Sequence, residues 1–331
     1  SSRRRVMSLA TPMRFAGLLL SAVTLGVSGA AQAQSWPDKT VRVIVPFAPG
    51  GGTDIQGRLL GKKFYESMKQ TFVVDNRAGA AGLIGAELAA KSPPDGYTVL
   101  FTTASLSVNV TLYKKSLNFD PVTALAPVSW ISSVPLVLVT HPSVPAKSVK
   151  ELLALAKKTG KLNAGNNGAG TTSYLAVEMF KQATGASMVN VSYKGGGPAV
   201  IALISGEVDF EFGTALAVAP HVASGKVRPI AVTTAKPAKA YPKLPTMNSM
   251  YPGFDVDNWY AMFMPAGTPK PIVDKLNSEI LKALKASDVL EFMAREGGEP
   301  VGSTPEELTA MFRREIAKYA KVIAAANIVV Q

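Results

Sequence analysis

The sequence has no cysteine and only two histidines, His141 and His221. Without cysteine there is no disulfide framework, no thiolate metal site and no thiol nucleophile. The two histidines stand apart in none of the zinc-ligand spacings, so no metal cluster is expected. No G-x-S-x-G elbow occurs, and no pair of carboxylates is marked out as an acid–base couple. Glu178 and Asp209 read as solvated or salt-bridged groups. Catalysis therefore finds no support, and neither a cofactor nor an enzyme activity is expected. Acidic residues are also few, 23 against 35 lysines and arginines, for a net charge of +12. The lysines are scattered over helical patterns rather than gathered in a stripe. That argues against nucleic acid and leaves attraction of small anions open.

Long apolar runs are absent beyond the first segment. There, Arg3, Arg4, Arg5 and Arg14 lead into "FAGLLLSAVTLGV" (Phe15–Val27) and then "AQA" (Ala31–Ala33). A basic region, a short apolar run and an A-x-A site read as a secretory signal peptide over residues 1–33, cleaved near Ala33. The run is short for a membrane span of about 20 residues. "SRRRVM" lacks the Phe-Leu pair of a twin-arginine signal, so the general secretory route is expected. The exported chain, starting near Gln34, keeps a charge of +8 once these four arginines are set aside.

Hydrophobic content of 47% describes a globular chain with a sizeable core. Short runs rich in β-branched residues fit strands: Val41–Val45, Thr71–Asp75, Tyr97–Thr102, Leu136–Thr140, Met188–Ser192, Val208–Phe212 and Arg228–Thr234. Amphipathic segments lie between them, such as "SVKELLALAKKTG", which Gly160 terminates. The alternation predicts α/β architecture with mainly parallel sheets. Two long helices close the chain, with Thr268-Pro269 and Ser303/Thr304-Pro305 as their expected starts. No flexible Gly/Ser linker separates domains.

The glycines cluster. "PFAPGGGTD" (Pro46–Asp54), "GNNGAGTTSY" (Gly165–Tyr174) and "YKGGGPA" (Tyr193–Ala199) each join a strand to a helix. Such a turn aims free N–H groups at the positive end of a helix, where anions bind. In parallel sheets these turns lie at the carboxyl ends of strands, the usual ligand side. A single turn of this kind needs no ligand to explain it; three in one chain favour one. Gly79, Gly82 and Gly85 form a fourth cluster, but their spacing does not fit a dinucleotide fingerprint, and close helix packing explains them. "GRLLGKK" (Gly57–Lys63) is one residue too short for a phosphate-binding P-loop.

These motifs have a combined order. "WPDKTVRVIVPFAPGGGTD" (Trp36–Asp54), "VVDNRAGAAGLIGAELAAKSPPDGYT" (Val73–Thr98), "NNGAGTTSYLAVEMF" (Asn166–Phe180), "VSYKGGGPAVIALISGEVDF" (Val191–Phe210), "SGKVRPIAVTT" (Ser224–Thr234) and "WYAMFMPAGTP" (Trp259–Pro269) together resemble the periplasmic solute-binding proteins of tripartite tricarboxylate transporters, the Bug family. The resemblance implies a type II periplasmic binding protein: two α/β lobes around a ligand cleft, joined by crossing strands. It implies lobe 1 at residues 36–135 and 254–331 and lobe 2 at 136–253. It also implies a ligand carboxylate held by the first two turns, partly through ordered water. Carried onto this chain, the first turn is Phe47, Ala48, Pro49, Gly50, Gly51, Gly52, Thr53 and Asp54. The second is Asn166, Asn167, Gly168, Ala169, Gly170, Thr171, Thr172 and Ser173. Tyr193, Lys194 and Gly195 to Gly197 come near the cleft from the third turn, and Thr214 faces it from another strand end. Two departures bear on ligand identity. The family commonly has histidine in place of Tyr174 and often Gly-Ser in place of Asn166-Asn167. Tyr174 either stacks on an aromatic ligand or caps its helix.

The expected function is capture of a small carboxylate for the membrane subunits of such a transporter, by a monomer with no nucleic-acid partner. The alternatives are an exported α/β hydrolytic enzyme, or a ligand-sensing protein that signals to a membrane sensor. Arg58 and Arg77 are the arginines nearest the turns, and both read as surface or packing residues.

Overall fold

The first strand is "VRVIV", and four of its five residues are buried. A strand covered on both faces needs this near-continuous apolar run, as in a parallel sheet flanked by helices. The computed structural model describes residues 36–325 and 327–329. The expected signal peptide lies outside the described residues.

In chain order the first half contains β1 (Val41–Val45), α1 (Gly52–Met68), β2 (Phe72–Asn76), α2 (Leu83–Ala90), β3 (Thr98–Thr103), α3 (Ser105–Leu112) and the short α4 (Pro121–Ala124). β4 (Leu125–Thr140) then leads into α5 (Val149–Thr159), β5 (Leu162–Asn166), α6 (Thr172–Thr184), β6 (Met188–Ser192) and α7 (Gly196–Ser205). Next come β7 (Phe210–Thr214), α8 (Ala215–Ala223), β8 (Arg228–Val232) and the short α9 (Met247–Met250). The chain returns along β9 (Asp257–Pro265) and ends in α10 (Lys270–Ala283), α11 (Ser287–Arg295), β10 (Glu299–Pro300) and α12 (Pro305–Ala325).

The strands run in the order β2-β1-β3-β9-β4-β7-β5-β6, with β8 and β10 also paired to β4. β1 pairs with β2 and β3 in parallel, and β5 with β6 and β7 in parallel. The middle is antiparallel, contrary to the mainly parallel expectation. β9 runs against β3 and β4, and β4 runs against β7, β8 and β10. The reason is the path of β4. Leu125 to Pro135 pair with β9, and Leu136 to Thr140 pair with β7 and β8. One continuous strand thus serves both halves. The apolar alternation in the sequence marked only its last five residues, because "PVSWISSVP" carries two prolines and three serines.

β7 shows how alternation sorts the layers. Phe210 and Phe212 face α6, where Phe180 meets both edge-on with ring centroids 6.2 and 5.7 Å away. Tyr251 closes the same aromatic group from 6.1 Å. Glu211 and Gly213 alternate with these phenylalanines and so face the other way, toward α7 and α8. Helix ends follow their sequence signals. Thr304 and Glu307 form a reciprocal capping box at α12, with bonds of 3.1 and 2.8 Å. Gly160 closes α5 in the left-handed region. At α10 the start lies one residue beyond the expected one: Pro269 is the N-cap, and the Thr268 hydroxyl donates back to the Pro265 carbonyl at 2.7 Å.

The aromatic group around Phe180 should dominate stability of the second half. Phe180→Ala is expected to cost about 3–5 kcal/mol, read as a lower urea midpoint with an unchanged slope.

Candidate functional site

Five helices begin around one cavity. Its walls are Phe47, Gly51, Gly52 and Thr53 at α1, Thr103 and Ser105 at α3, Asn167, Thr171 and Thr172 at α6, Gly196 at α7 and Thr214 at α8. Asn258 and Tyr260 on β9 complete it. No charged side chain lines it. The Thr171 hydroxyl caps α6 by accepting the Tyr174 N–H at 3.2 Å, and Thr103 accepts the Ser105 N–H of α3 at 3.2 Å. The starts of α1, α7 and α8 have no side-chain cap. Their first N–H groups have no intrahelical acceptor, and each helix adds a partial positive charge. The cavity is thus positive without containing a cation.

The three glycines after β1 have three different causes. Gly50 adopts φ +82°, a left-handed turn conformation that favours glycine. Gly51 lies against the third turn: a Cβ there would sit 3.3 Å from the N atoms of Gly196 and Gly197. At Gly52 a Cβ would run into the Tyr260 hydroxyl. The converse holds at Gly197, where a Cβ would collide with the Pro49 carbonyl. The two turns are also tied by a hydrogen bond from the Ala48 N–H to the Lys194 carbonyl, 2.9 Å. What approaches the backbone most closely is therefore another backbone, together with one phenol.

Asp54 is buried but turned away from the cavity. It accepts hydrogen bonds from the Gly50 N–H (3.1 Å), the Asn76 amide (3.1 Å) and Arg58, which also pairs with it at 2.9 Å. Burial raises its pKa, but the Arg58, Gly50 and Asn76 bonds outweigh that and hold it below the ordinary value. Asp54 fixes the shape of the turn. Arg77 pairs with Asp75 at 2.9 Å. Asn166 is also buried and shapes its own turn, accepting the Gly168 N–H at 2.8 Å and donating to the Val191 carbonyl at 3.0 Å. Thr171 spends its hydroxyl on the Gly168 carbonyl, 2.8 Å. Ser173 is buried behind the wall with its Oγ unpartnered. Gly170, at φ +93°, packs on Asn109 and Tyr113, and Gly195, at φ +129°, packs on Phe47 and Ala48. Tyr174 is half-buried against the apolar cluster of Leu175 and Trp259 and is not part of this cavity's wall. Burial, and secondarily Glu178 and Tyr113, push its phenol up.

A second opening adjoins the first and shares Phe47 and Asn167 with it. Gly168, Ala169, Tyr193 and Lys194 line it, opposite Gly79 to Gly82 and Tyr113. Gly79, Ala80, Ala81 and Gly82 all have positive φ, between 46° and 137°. Two alanines in that region are strained. The Asn109 amide holds them by donating to the Ala81 carbonyl at 2.9 Å, and the Tyr113 hydroxyl donates to the Ala169 carbonyl at 3.0 Å.

Residues 57–328 match the family described as tripartite tricarboxylate transporter family receptor. The chain belongs to this family. It is 37% identical over 304 residues to Protein BugT of Bordetella pertussis, covering 91% of this chain and 93% of that one. Among solved structures, an R. palustris protein with adipate aligns at TM-score 0.85 and 35% identity, covering 89% of this chain and 99% of that one. MatC from Rhodopseudomonas palustris with bound malate aligns at TM-score 0.82 and 30% identity, covering 87% of this chain and 100% of that one. The receptor accordingly has the type II periplasmic binding protein fold, two α/β lobes joined by crossing strands.

In the receptor, four cavity residues escape sequence reasoning: Thr103, Ser105, Asn258 and Tyr260. The turn after β3 carries no glycine, and β9 is not among the strands expected from the sequence. Only the alternation Asn258/Tyr260 against Trp259 hinted at two faces. Thr172 donates to Asn258 at 3.1 Å and so ties α6 to β9. Burial pushes the Tyr260 phenol up to about 12, against the lowering influence of Thr214 and Asn258, so it stays neutral and able to donate.

Adjacent glycines of the receptor's third turn should respond oppositely. Gly196→Ala meets only ordinary contacts of 3.5 Å and longer and is expected to leave the thermal midpoint within a few degrees. Gly197→Ala cannot keep the turn contact, and a loss of about 1–3 kcal/mol in unfolding free energy is expected.

Proposed function

We propose that the receptor captures a small carboxylate by its anionic head and delivers it to the membrane subunits of a tripartite tricarboxylate transporter. The observation that carries this reading is the set of three uncapped helix starts facing a cavity with no charged wall. A carboxylate there becomes the missing cap. It accepts N–H groups at Gly52, Thr53, Gly196 and Ala215 and hydroxyls from Thr53 and Thr214. The Thr214 Oγ is buried with no partner of hydrogen-bonding geometry, and so is the Asn167 Oδ1. The body of the ligand passes between Phe47 and Asn167 into the second opening, where Lys194 stands exposed at the rim. Adipate and malate in the two structural relatives fit this chemistry.

The two lobes are proposed as residues 36–135 with 254–331, and 136–253. In support, β4 changes partners between Pro135 and Leu136. Contact between the first and third turns makes the closed form self-sealing around the head group, and closure presents one surface to the transporter. The reading places the protein in the periplasm as a monomer, with its leader removed near Ala33, and assigns it no turnover of its ligand. Each charge-assisted bond contributes roughly 1.5–3 kcal/mol, so four or five of them reach micromolar affinity, about 8 kcal/mol.

The test is thermal unfolding of refolded, ligand-stripped protein against mono-, di- and tricarboxylates, amino acids and aromatic acids. A ligand at 100 times its dissociation constant is expected to stabilise by about 2.7 kcal/mol. No shift across the panel, or hydrolysis of an ester or amide, would sink the reading. Thr53→Val and Thr214→Val should each weaken binding by tenfold or more, the cost of one charge-assisted bond, while leaving ligand-free unfolding unchanged.

A further inference from the structure

Glu211 is the one carboxylate buried without compensation among the described residues. It is 0% exposed, and neither carboxyl oxygen has a hydrogen-bond partner. It is the second residue of β7, whose last residue, Thr214, forms part of the cavity wall. The carboxyl folds forward along the strand. Its Oε1 is 2.7 Å from where a Gly213 Cβ would stand, within about 8 Å of the Thr214 Cα, one peptide step further on. On its other side, Glu211 and the Tyr193 ring both border Gly165, and Tyr193 opens the third turn. The carboxyl is therefore lodged behind the start of α8, on the side of the sheet where Tyr193 opens the third turn.

We propose that Glu211 is a proton-controlled gate on anion capture: the cavity holds its anion while the carboxyl is protonated, and ionisation of the carboxyl weakens that hold. Two physical effects act together. A negative charge behind Thr214 opposes the field of the α7 and α8 starts. A buried carboxylate also demands water or a cation, and admitting either loosens the α7 and α8 packing. This inference rests on the carboxylate-capture reading.

The surroundings supply no compensating charge. α7 ("GGPAVIALIS"), β5 ("LNAGN") and the β4 stretch Leu136–Thr140 contain no ionisable side chain. α8 offers His221, whose pKa is pulled down by burial and then by Lys226. Tyr193 donates to Glu207 at 2.6 Å, and burial, Glu207 and Glu211 push its phenol far up. Asp209, at the head of β7, accepts the Asn163 N–H at 2.7 Å. Glu178 and Lys181 belong to α6, on the opposite face of the sheet, and pair with each other at 3.0 Å. Burial alone pushes the Glu211 carboxyl up to about 8. His221 is shifted down and Tyr193 up, both away from that value.

Linkage gives the sign. The folded pKa is raised, so the unfolded chain loses this proton first. Stability attributable to Glu211 is complete below the ordinary glutamate range, near 4.3, and is lost as pH rises to about 8. An anion that favours the protonated carboxyl must likewise draw a proton in when it binds above that pH.

The experiment measures affinity for adipate and for malate, both fully ionised throughout, from about pH 7 to about 9.5, below the lysine range. Wild-type affinity is expected to fall roughly tenfold, an ordinary size for coupled sites. Glu211→Gln, a neutral mimic, is expected to hold its pH 7 affinity across the range. Calorimetry near pH 8.5 should show proton uptake on binding by the wild type and none by the variant. If Gln does not fold, Glu211→Met serves in its place. A flat wild-type profile, or a variant that falls in parallel with wild type, overturns the gate while leaving carboxylate capture intact. If neither acid binds at pH 7, the same series is run with the acid that stabilises best in the unfolding panel; if none does, the capture reading fails, and the gate with it.

Discussion

The contact between two glycine turns organises this molecule. The turn after β1 and the turn before α7 meet backbone to backbone, with the Ala48 N–H on the Lys194 carbonyl and Gly51 against Gly196 and Gly197. A Cβ at Gly197 would collide in that seam, and one at Gly51 would crowd it. Because the main chains approach so closely, the starts of α1 and α7 open into the same small space, and the uncapped start of α8 joins them. The seam draws together helix ends that lie far apart in sequence.

The electrostatics of the site follow from that geometry. Lysine or arginine side chains would bring strong but mobile charge and a large hydration cost. Helix starts bring weaker partial charges that are fixed in direction and already desolvated. Charged residues near the turns serve the scaffold instead, Arg58 holding Asp54 and Arg77 holding Asp75. The excess of basic residues over the surface then contributes a diffuse attraction for anions at long range.

Behind the seam, β4 and β9 carry the chain between the two halves, and their antiparallel pairing gives the sheet its continuous middle. The alternation in β7 divides the second half into an aromatic layer under α6 and an aliphatic layer under α7 and α8. A carboxyl in the aliphatic layer has no partner, which is why Glu211 stands apart from the other acids. Burial, not a neighbouring charge, sets its protonation.

The sequence determined the elements and the anion-ready turns, because both are local. "VRVIV" before "PFAPGGGTD", the capping box at Thr304 and Glu307, and the Gly160 stop each express preferences written within a few residues. The family resemblance was legible for the same reason, through motifs in a fixed order. Tertiary structure decided what those motifs do. Gly52 is glycine because of Tyr260, and Gly51 because of Gly196 and Gly197, partners more than 140 positions away. Asp54 and Asn166 appear in ligand-like turns yet turn inward to hold them. Thr103, Ser105, Asn258 and Tyr260 carry no local signature and reach the cavity only because β3 and β9 are neighbours. Glu211 looks like one more strand residue until the packing of α7 and α8 removes its water. Local propensity is readable along the chain, whereas burial and close approach depend on which distant segments the fold brings together.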